Sequence, residues 1–285
     1  MGELLKGKPV ADAITVEVKK TTEELRAKNI IPKLMIVRVG ERQDDLSYER
    51  AAIKRMQNCN IECEVTTMPE DISQQEFINK LQQVNSDSAV HGILLFRPLP
   101  EQIDENVVKD IISPEKDIDC FNPANVAKIV EGDKSGFAPC TPTAAMEILK
   151  HNNIVLKGKR AAVIGRSLVV GKPMAMLLLG ENATVTICHS KTDELNKVCK
   201  EADILVAAIG KAKMITDDFV KEGAVVIDVG INVDEQGNMW GDVDTENCKD
   251  KASFITPVPG GVGSVTTAVL AKHVLKACCL ANNIN

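Results

Sequence analysis

Residues 253–263 read Ser-Phe-Ile-Thr-Pro-Val-Pro-Gly-Gly-Val-Gly. Pro257 and Pro259 fix φ and remove two N–H donors, whereas Gly260, Gly261 and Gly263 lack the Cβ that would hold a flat ring off the main chain. Such a bared backbone suits direct contact with a ligand, although an ordinary turn reads the same way. A second stretch, Gly165-Arg-Ser-Leu-Val-Val-Gly171-Lys-Pro173, follows the strand-like run 160–164. Glycines at a strand-to-helix turn let a pyrophosphate rest on the helix N-terminus. The spacing departs from Gly-x-Gly-x-x-Gly: Ser167 takes the second glycine position and the last glycine comes one residue late. A plain turn therefore stays open as a reading. About 20 residues after the first glycine, where an acid normally holds the adenosine ribose, the chain has Thr186-Ile-Cys-His-Ser-Lys191 and no carboxylate. His189, Ser190 and Lys191, with Arg166, offer donors and positive charge for a 2′-phosphate, which favours NADP over NAD; a solvated loop is the alternative. Tyr48 is the only tyrosine in the chain.

The elements that must position these residues alternate from end to end. Short β-branched runs at 33–39, 62–67, 89–95, 160–165, 183–188, 203–209 and 224–229 read as strands, with helical patterns between them, as in an α/β chain with parallel sheets. The best boundary lies near Phe137-Ala-Pro-Cys-Thr-Pro, with a helix expected to start at Thr141 or Thr143. A sheet of three or four strands is expected before it and a second sheet after it. The 285 residues, 44% hydrophobic and 26% charged, suit a soluble protein of two domains. A net charge of −6 gives no basic footprint for nucleic acid or an anionic membrane. The N-terminus lacks the apolar core of a signal peptide, and no window reaches the roughly 20 apolar residues of a membrane span, so the expected location is cytoplasmic. The nine cysteines lack the paired spacing of a zinc site. They read as free thiols, and no metal is expected.

With these residues in view, the chain resembles the methylenetetrahydrofolate dehydrogenase/cyclohydrolase family over essentially its whole length. The resemblance rests on Gly165-Arg-Ser-x-x-Val-Gly-x-Pro173, Cys188-His-Ser-Lys-Thr192, Val226-Ile-Asp-Val-Gly-Ile-Asn232, Gly241-Asp-Val243 and Thr256-Pro-Val-Pro-Gly-Gly-Val-Gly263. Gly92-Ile-Leu, Pro98-Leu-Pro100 and Pro114-Glu-Lys-Asp-Ile-Asp119 join them. It implies a folate-binding catalytic α/β domain over 1–139, completed by a C-terminal helix 266–285, and a Rossmann-type NADP-binding domain over 140–265. Tetrahydrofolate derivatives would lie in a cleft between them, in a homodimer. Carried over by position, Gly165, Arg166, Ser167, Ser190 and Ile231 would touch the cofactor, with Arg166 and Ser190 at the 2′-phosphate. Pro259, Gly260, Gly261, Val262 and Gly263 would lie against the folate, together with Leu95, Phe96 and Arg97. Asp119 would hydrogen-bond the pterin, and Tyr48 would stack beside the reacting carbon.

The departures from the family pattern concentrate around the expected folate site. The family's Tyr-x-x-x-Lys, whose spacing puts both side chains on one helix face, reads Tyr48-Glu-Arg-Ala-Ala52 here, so Ala52 takes the lysine position. Phe96 stands for a glutamine, Cys120 for a glycine, Ser264 for a proline and Asp45 for a serine. Hydride transfer from 5,10-methylenetetrahydrofolate removes no proton from carbon and needs mainly alignment. Hydrolysis of the methenyl cation needs water addition and proton shuffling, which a Lys/Gln pair would assist. The expectation is thus a dehydrogenase with weak or lost cyclohydrolase activity, with Arg97 and Arg55 as the first substitutes for the missing lysine. The alternatives are a non-catalytic folate- or nucleotide-binding homologue, an NAD-dependent monofunctional dehydrogenase, and a dehydrogenase moved to another substrate.

Overall fold

The structure, a computed structural model, describes residues 2–284. Along the chain come β1 (Glu3–Leu4), α1 (Gly7–Arg26), β2 (Lys33–Val39), α2 (Gln43–Asn58), β3 (Glu62–Met68), α3 (Gln74–Ser86), β4 (Gly92–Leu95), α4 (Glu105–Val108) and α5 (Pro123–Glu131). Then follow α6 (Cys140–His151), β5 (Arg160–Ile164), α7 (Gly171–Gly180), β6 (Thr184–Cys188), α8 (Leu195–Cys199), β7 (Ile204–Ala207) and β8 (Val225–Asp228). A hairpin of β9 (Asn232–Val233) and β10 (Met239–Trp240) leads to α9 (Thr245–Cys248), β11 (Phe254–Ile255) and α10 (Thr266–Ala281). The chain divides into two compact units, Asp12–Ala138 with Thr267–Asn285, and Met1–Ala11 with Pro139–Thr266.

The unit built on 12–138 holds a parallel sheet of order β3-β2-β4. Central β2 reads Lys-Leu-Met-Ile-Val-Arg-Val and is buried from Leu34 onward. Its apolar run does not alternate because both faces are covered, as parallel strands require. Phe77 and Leu81 of α3 pack with Met35, Val37, Ile93 and Ile112 in the core. α3 starts where it does because Ser73 and Glu76 form a reciprocal capping box. α10 completes the unit: His273 Nδ1 lies 2.9 Å from the Ile118 carbonyl oxygen, and Lys276 Nζ donates to the Gly136 carbonyl at 2.6 Å.

The other unit carries a six-stranded sheet of order β1-β11-β8-β7-β5-β6, parallel throughout. From β5 the chain steps out to β6, then returns to β7 on the other side. The order therefore reverses between β5 and β7, and in open α/β sheets ligands bind beyond the carboxyl ends of the strands at such a point. This is the expected Rossmann-type arrangement.

Several boundaries differ from the sequence expectation. The first eleven residues, expected with the first half, belong to the six-stranded unit, where Glu3 pairs with Phe254 and Leu4 with Ile255. A two-residue strand has no periodicity to read. The strand expected from Ala89 begins at Gly92, because Asp87 accepts the Ala89 N–H on its side chain and the Val90 N–H on its carbonyl, turning the chain. The helix expected at Thr141 or Thr143 begins at Cys140; Thr143 Oγ1 donates back to the Pro139 carbonyl at 2.8 Å instead of capping the start.

Candidate active site

The candidate residues fall into two groups, one in each unit. In the 12–138 unit, α2 puts Tyr48 and Ala52 on one face. The helix is held to β2 by an ion pair from Arg38 Nε to Glu49 Oε2 at 2.8 Å, with both side chains largely buried. The half-buried Tyr48 ring meets Phe96 edge-on, with centroids 5.9 Å apart and an interplanar angle of 67°. Phe96 leaves β4 directly after the buried Leu95, and its N–H donates to the Val37 carbonyl at 3.0 Å. Ala52 is 0% exposed, so the place of the family's lysine is closed.

Asp45 has become part of a brace. Arg42 donates to both of its carboxylate oxygens at 2.9 and 2.8 Å, and to the Arg97 carbonyl at 3.0 Å. The Arg97–Pro98 bond is cis, and the Arg97 guanidinium lies 4.4 Å above the Phe121 ring centroid. Arg55 is tied down as well, donating to Thr15 Oγ1 at 2.5 Å and Thr267 Oγ1 at 3.3 Å, so it bridges α2 to α1 and α10. Asp117, which the sequence reading passed over, organises the segment around Asp119. Its buried carboxylate accepts from the Phe121 and Asn122 N–H groups, each at 2.8 Å, and from Asn125 Nδ2 at 2.9 Å. Burial raises its pKa against the pull of those donors. Asp119 is half-buried in this turn. Cys120 takes φ +58°, the left-handed region, which accounts for the family's glycine there. Burial pushes the Cys120 thiol far above its ordinary range.

In the six-stranded unit, Gly165 has φ +127° and a Cβ on it would lie 2.2 Å from the Ala208 carbonyl oxygen. Its N–H donates to Cys188 at 2.9 Å, which brings the turn carrying Arg166 beside the segment carrying Ser190. Both of these side chains are exposed. His189 Nδ1 accepts from the Lys191 N–H at 3.1 Å, so the imidazole shapes that segment. Ser167 also braces its own turn. Its Oγ accepts from Val170 and Gly171 N–H at 3.1 and 3.4 Å, its carbonyl accepts from Lys172, and Pro173 has no N–H. The leading amides of α7 are thus capped by the chain's own serine, and exposed residues 166–169 form the outer surface of the turn. The late glycine has a steric reason: a Cβ on Gly171 would lie 2.1 Å from the Gly165 carbonyl oxygen.

In the Pro/Gly loop, Gly260 has φ +99° and open space where a Cβ would stand, while a Cβ on Gly261 would lie 2.4 Å from the Pro257 carbonyl oxygen. The Val258–Pro259 bond is cis, and Gly7 N–H donates to the Gly260 carbonyl at 2.8 Å. Pro259, Gly260 and Gly263 are exposed and Val262 is buried. The exposed Ile231 reaches the loop, its Cδ1 standing 3.1 Å from the position of a Cβ on Gly263. Asp228 and Asp242, both 0% exposed, sit at this end of the sheet as well. Their motifs were visible in the sequence, but nothing there assigned the acids a partner.

Residues 5–119 match the model of the tetrahydrofolate dehydrogenase/cyclohydrolase catalytic domain, and residues 139–282 match that of its NAD(P)-binding domain. A bifunctional protein FolD from Clostridioides difficile is 64% identical over 282 residues, covering 99% of this chain and 98% of the relative. The crystal structure of a FolD methylenetetrahydrofolate dehydrogenase/cyclohydrolase from Campylobacter jejuni superposes with a TM-score of 0.95 at 40% identity, covering 99% of each chain. The Trypanosoma brucei enzyme, solved with NADP cofactor and inhibitor, gives 0.93 at 33% identity, covering 99% of this chain and 98% of that one. With both domain models matched in order and relatives aligned end to end, the chain belongs to the tetrahydrofolate dehydrogenase/cyclohydrolase family.

Proposed function

We propose that the chain oxidises 5,10-methylenetetrahydrofolate to the methenyl cation with NADP as hydride acceptor, and that it hydrolyses that cation weakly or not at all. The residues fit the dinucleotide: Gly165 lets the turn close on the Ala208 carbonyl, and the exposed Arg166 and Ser190 suit a 2′-phosphate. When bound, the cofactor supplies the hydride acceptor. The chain's own work is placement. Tyr48 would lie against the folate with its ring steadied by Phe96, Asp119 would take the pterin hydrogen bond, and Pro259–Gly263 would form a backbone wall. No proton leaves carbon in the oxidation, so alignment carries most of the barrier reduction.

Hydrolysis is another matter, because a proton must pass between oxygen and nitrogen. One observation carries this half of the reading: the residue four along from Tyr48 is a fully enclosed alanine, and an apolar ring stands where a glutamine would. The two arginines do not replace the pair. Arg55 is bound to Thr15 and Thr267, Arg97 lies over Phe121, and a guanidinium does not release a proton in a protein.

The test is a pair of assays on the purified chain. NADPH should form from methylenetetrahydrofolate and NADP, with slower turnover on NAD, and added methenyltetrahydrofolate should lose its absorbance barely faster than in buffer. Rapid enzyme-dependent loss overturns the second half; binding without turnover overturns the first and leaves the non-catalytic reading. Two finer points belong to the same reading. The family resemblance supports a homodimer, testable by light scattering. A cytoplasmic location is the other; no helix among the described residues is long and apolar enough to cross a membrane.

A further inference from the structure

Asp228 closes β8 and Asp242 follows β10, both at the carboxyl ends of the six-stranded sheet and both without an exposed atom. The Asp242 carboxylate accepts from the backbone N–H groups of Ile209, Gly210 and Lys211 at 2.7, 3.0 and 2.8 Å. It also accepts from Asn232 Nδ2 at 3.0 Å. The three amides belong to the segment leaving β7; Asn232 opens β9, one residue past Ile231. Asp228 in turn accepts from the N–H groups of Gly230, Asp242 and Val243 at 3.0, 3.0 and 2.9 Å, so one acid orients the other. Glycines keep the space clear: a Cβ on Gly230 would lie 2.2 Å from Asp242 Cγ, and one on Gly241 would lie 1.8 Å from Asp228 Oδ2.

We propose that Asp242 is a positioning residue for the dinucleotide, fixing through one carboxylate the two segments, 208–211 and 230–232, that wall the cofactor crevice. This rests on NADP being the ligand of this unit. The first segment begins at Ala208, whose carbonyl oxygen packs on Gly165, so displacement of 208–211 moves the floor of the phosphate turn. The second holds Ile231. Four donors converge on the acid from two directions, and only a carboxylate accepts them all; an asparagine amide turns an NH₂ toward two of them. Asp228 supports the arrangement: burial pushes its carboxyl up to about 7, against the pull of the amides that hold it in place.

Trp240 is the chain's only tryptophan. Its carbonyl shares the Asn232 amide at 3.3 Å and its indole ring centroid lies 3.6 Å from Nζ of Lys213, two residues past Lys211, so its fluorescence is a nearby probe of this knot. NADP and NAD are titrated into the wild-type chain, Asp242→Asn and Asn232→Ala, by that fluorescence and by calorimetry. Both dissociation constants should rise together, on the order of tenfold or more in Asp242→Asn and about threefold in Asn232→Ala, the loss expected for hydrogen bonds to a charged group. The KM for methylenetetrahydrofolate should change less than either dissociation constant, since the donors that Asp242 holds all lie on the cofactor-side segments. Unchanged dissociation constants in a folded Asp242→Asn overturn the proposal. If that variant fails to fold, unchanged binding by Asn232→Ala overturns it. A wild-type chain that binds no NADP overturns the cofactor reading beneath it.

Discussion

At position 52 a methyl group stands, fully enclosed, where the family resemblance expects a lysine. Lysine restored there alone must bury an ammonium or push out its cover, and either is unfavourable. Ala52→Lys alone should lose about 1–3 kcal/mol of stability through overpacking and gain little hydrolysis. Ala52→Lys combined with Phe96→Gln should gain roughly 10²-fold in methenyl hydrolysis over the wild type, the lower end of what general acid–base catalysis supplies. The comparison is made by following methenyl absorbance, and a double variant no faster than the single would remove the pair as the explanation. The sequence showed both substitutions because each falls on a position of a recognisable pattern. It did not show that Tyr48 and Phe96 touch, that Arg55 points to Thr15 and Thr267, or that Cys120 sits at positive φ. Spacing along a helix gives a direction of rotation, whereas these are facts about which other segment lies there.

The elements were more legible than their joints. Seven strands were visible because each is a β-branched or apolar run between turn residues, and their parallel arrangement followed from the helices between them. The two-residue strands and the carboxylate knot were not, since a short strand has no period and the partners of Asp242 are backbone amides some thirty residues away. The start of α7 joins the two kinds of information. The oddly spaced glycine was visible, but its purpose emerges only when Gly171 is found against the Gly165 carbonyl. Gly171→Ala forces the helix off the turn by meeting rigid backbone. It should weaken NADP binding by an order of magnitude or more, the effect on ligand placement expected of a displacement of about 1 Å. Calorimetry gives the dissociation constant, and a value within twofold of wild type would show that the turn tolerates the shift.

At the scale of the molecule, each unit takes its final piece from the opposite end of the sequence. β1 joins the six-stranded sheet through β11, and α10 packs in the unit built on 12–138. Leu5, which is 1% exposed and donates its N–H to the Ile255 carbonyl at 2.8 Å, anchors the first of these. Leu5→Ala should lower the unfolding free energy by about 2–4 kcal/mol, as for other buried leucines. Urea denaturation measures it, and a loss below about 1 kcal/mol would make β1 a peripheral attachment. The same threading governs the order in which the molecule can be made. A ribosome that has released residue 138 has delivered all three strands of the small sheet, but not the helix that supplies His273 to Ile118. The strand Glu3–Leu4 waits for Phe254 and Ile255 before it finds its neighbours. The six-stranded unit has all its pieces once residue 266 has emerged, whereas the unit built on 12–138 still waits for α10, so the half whose strands are made first is completed last.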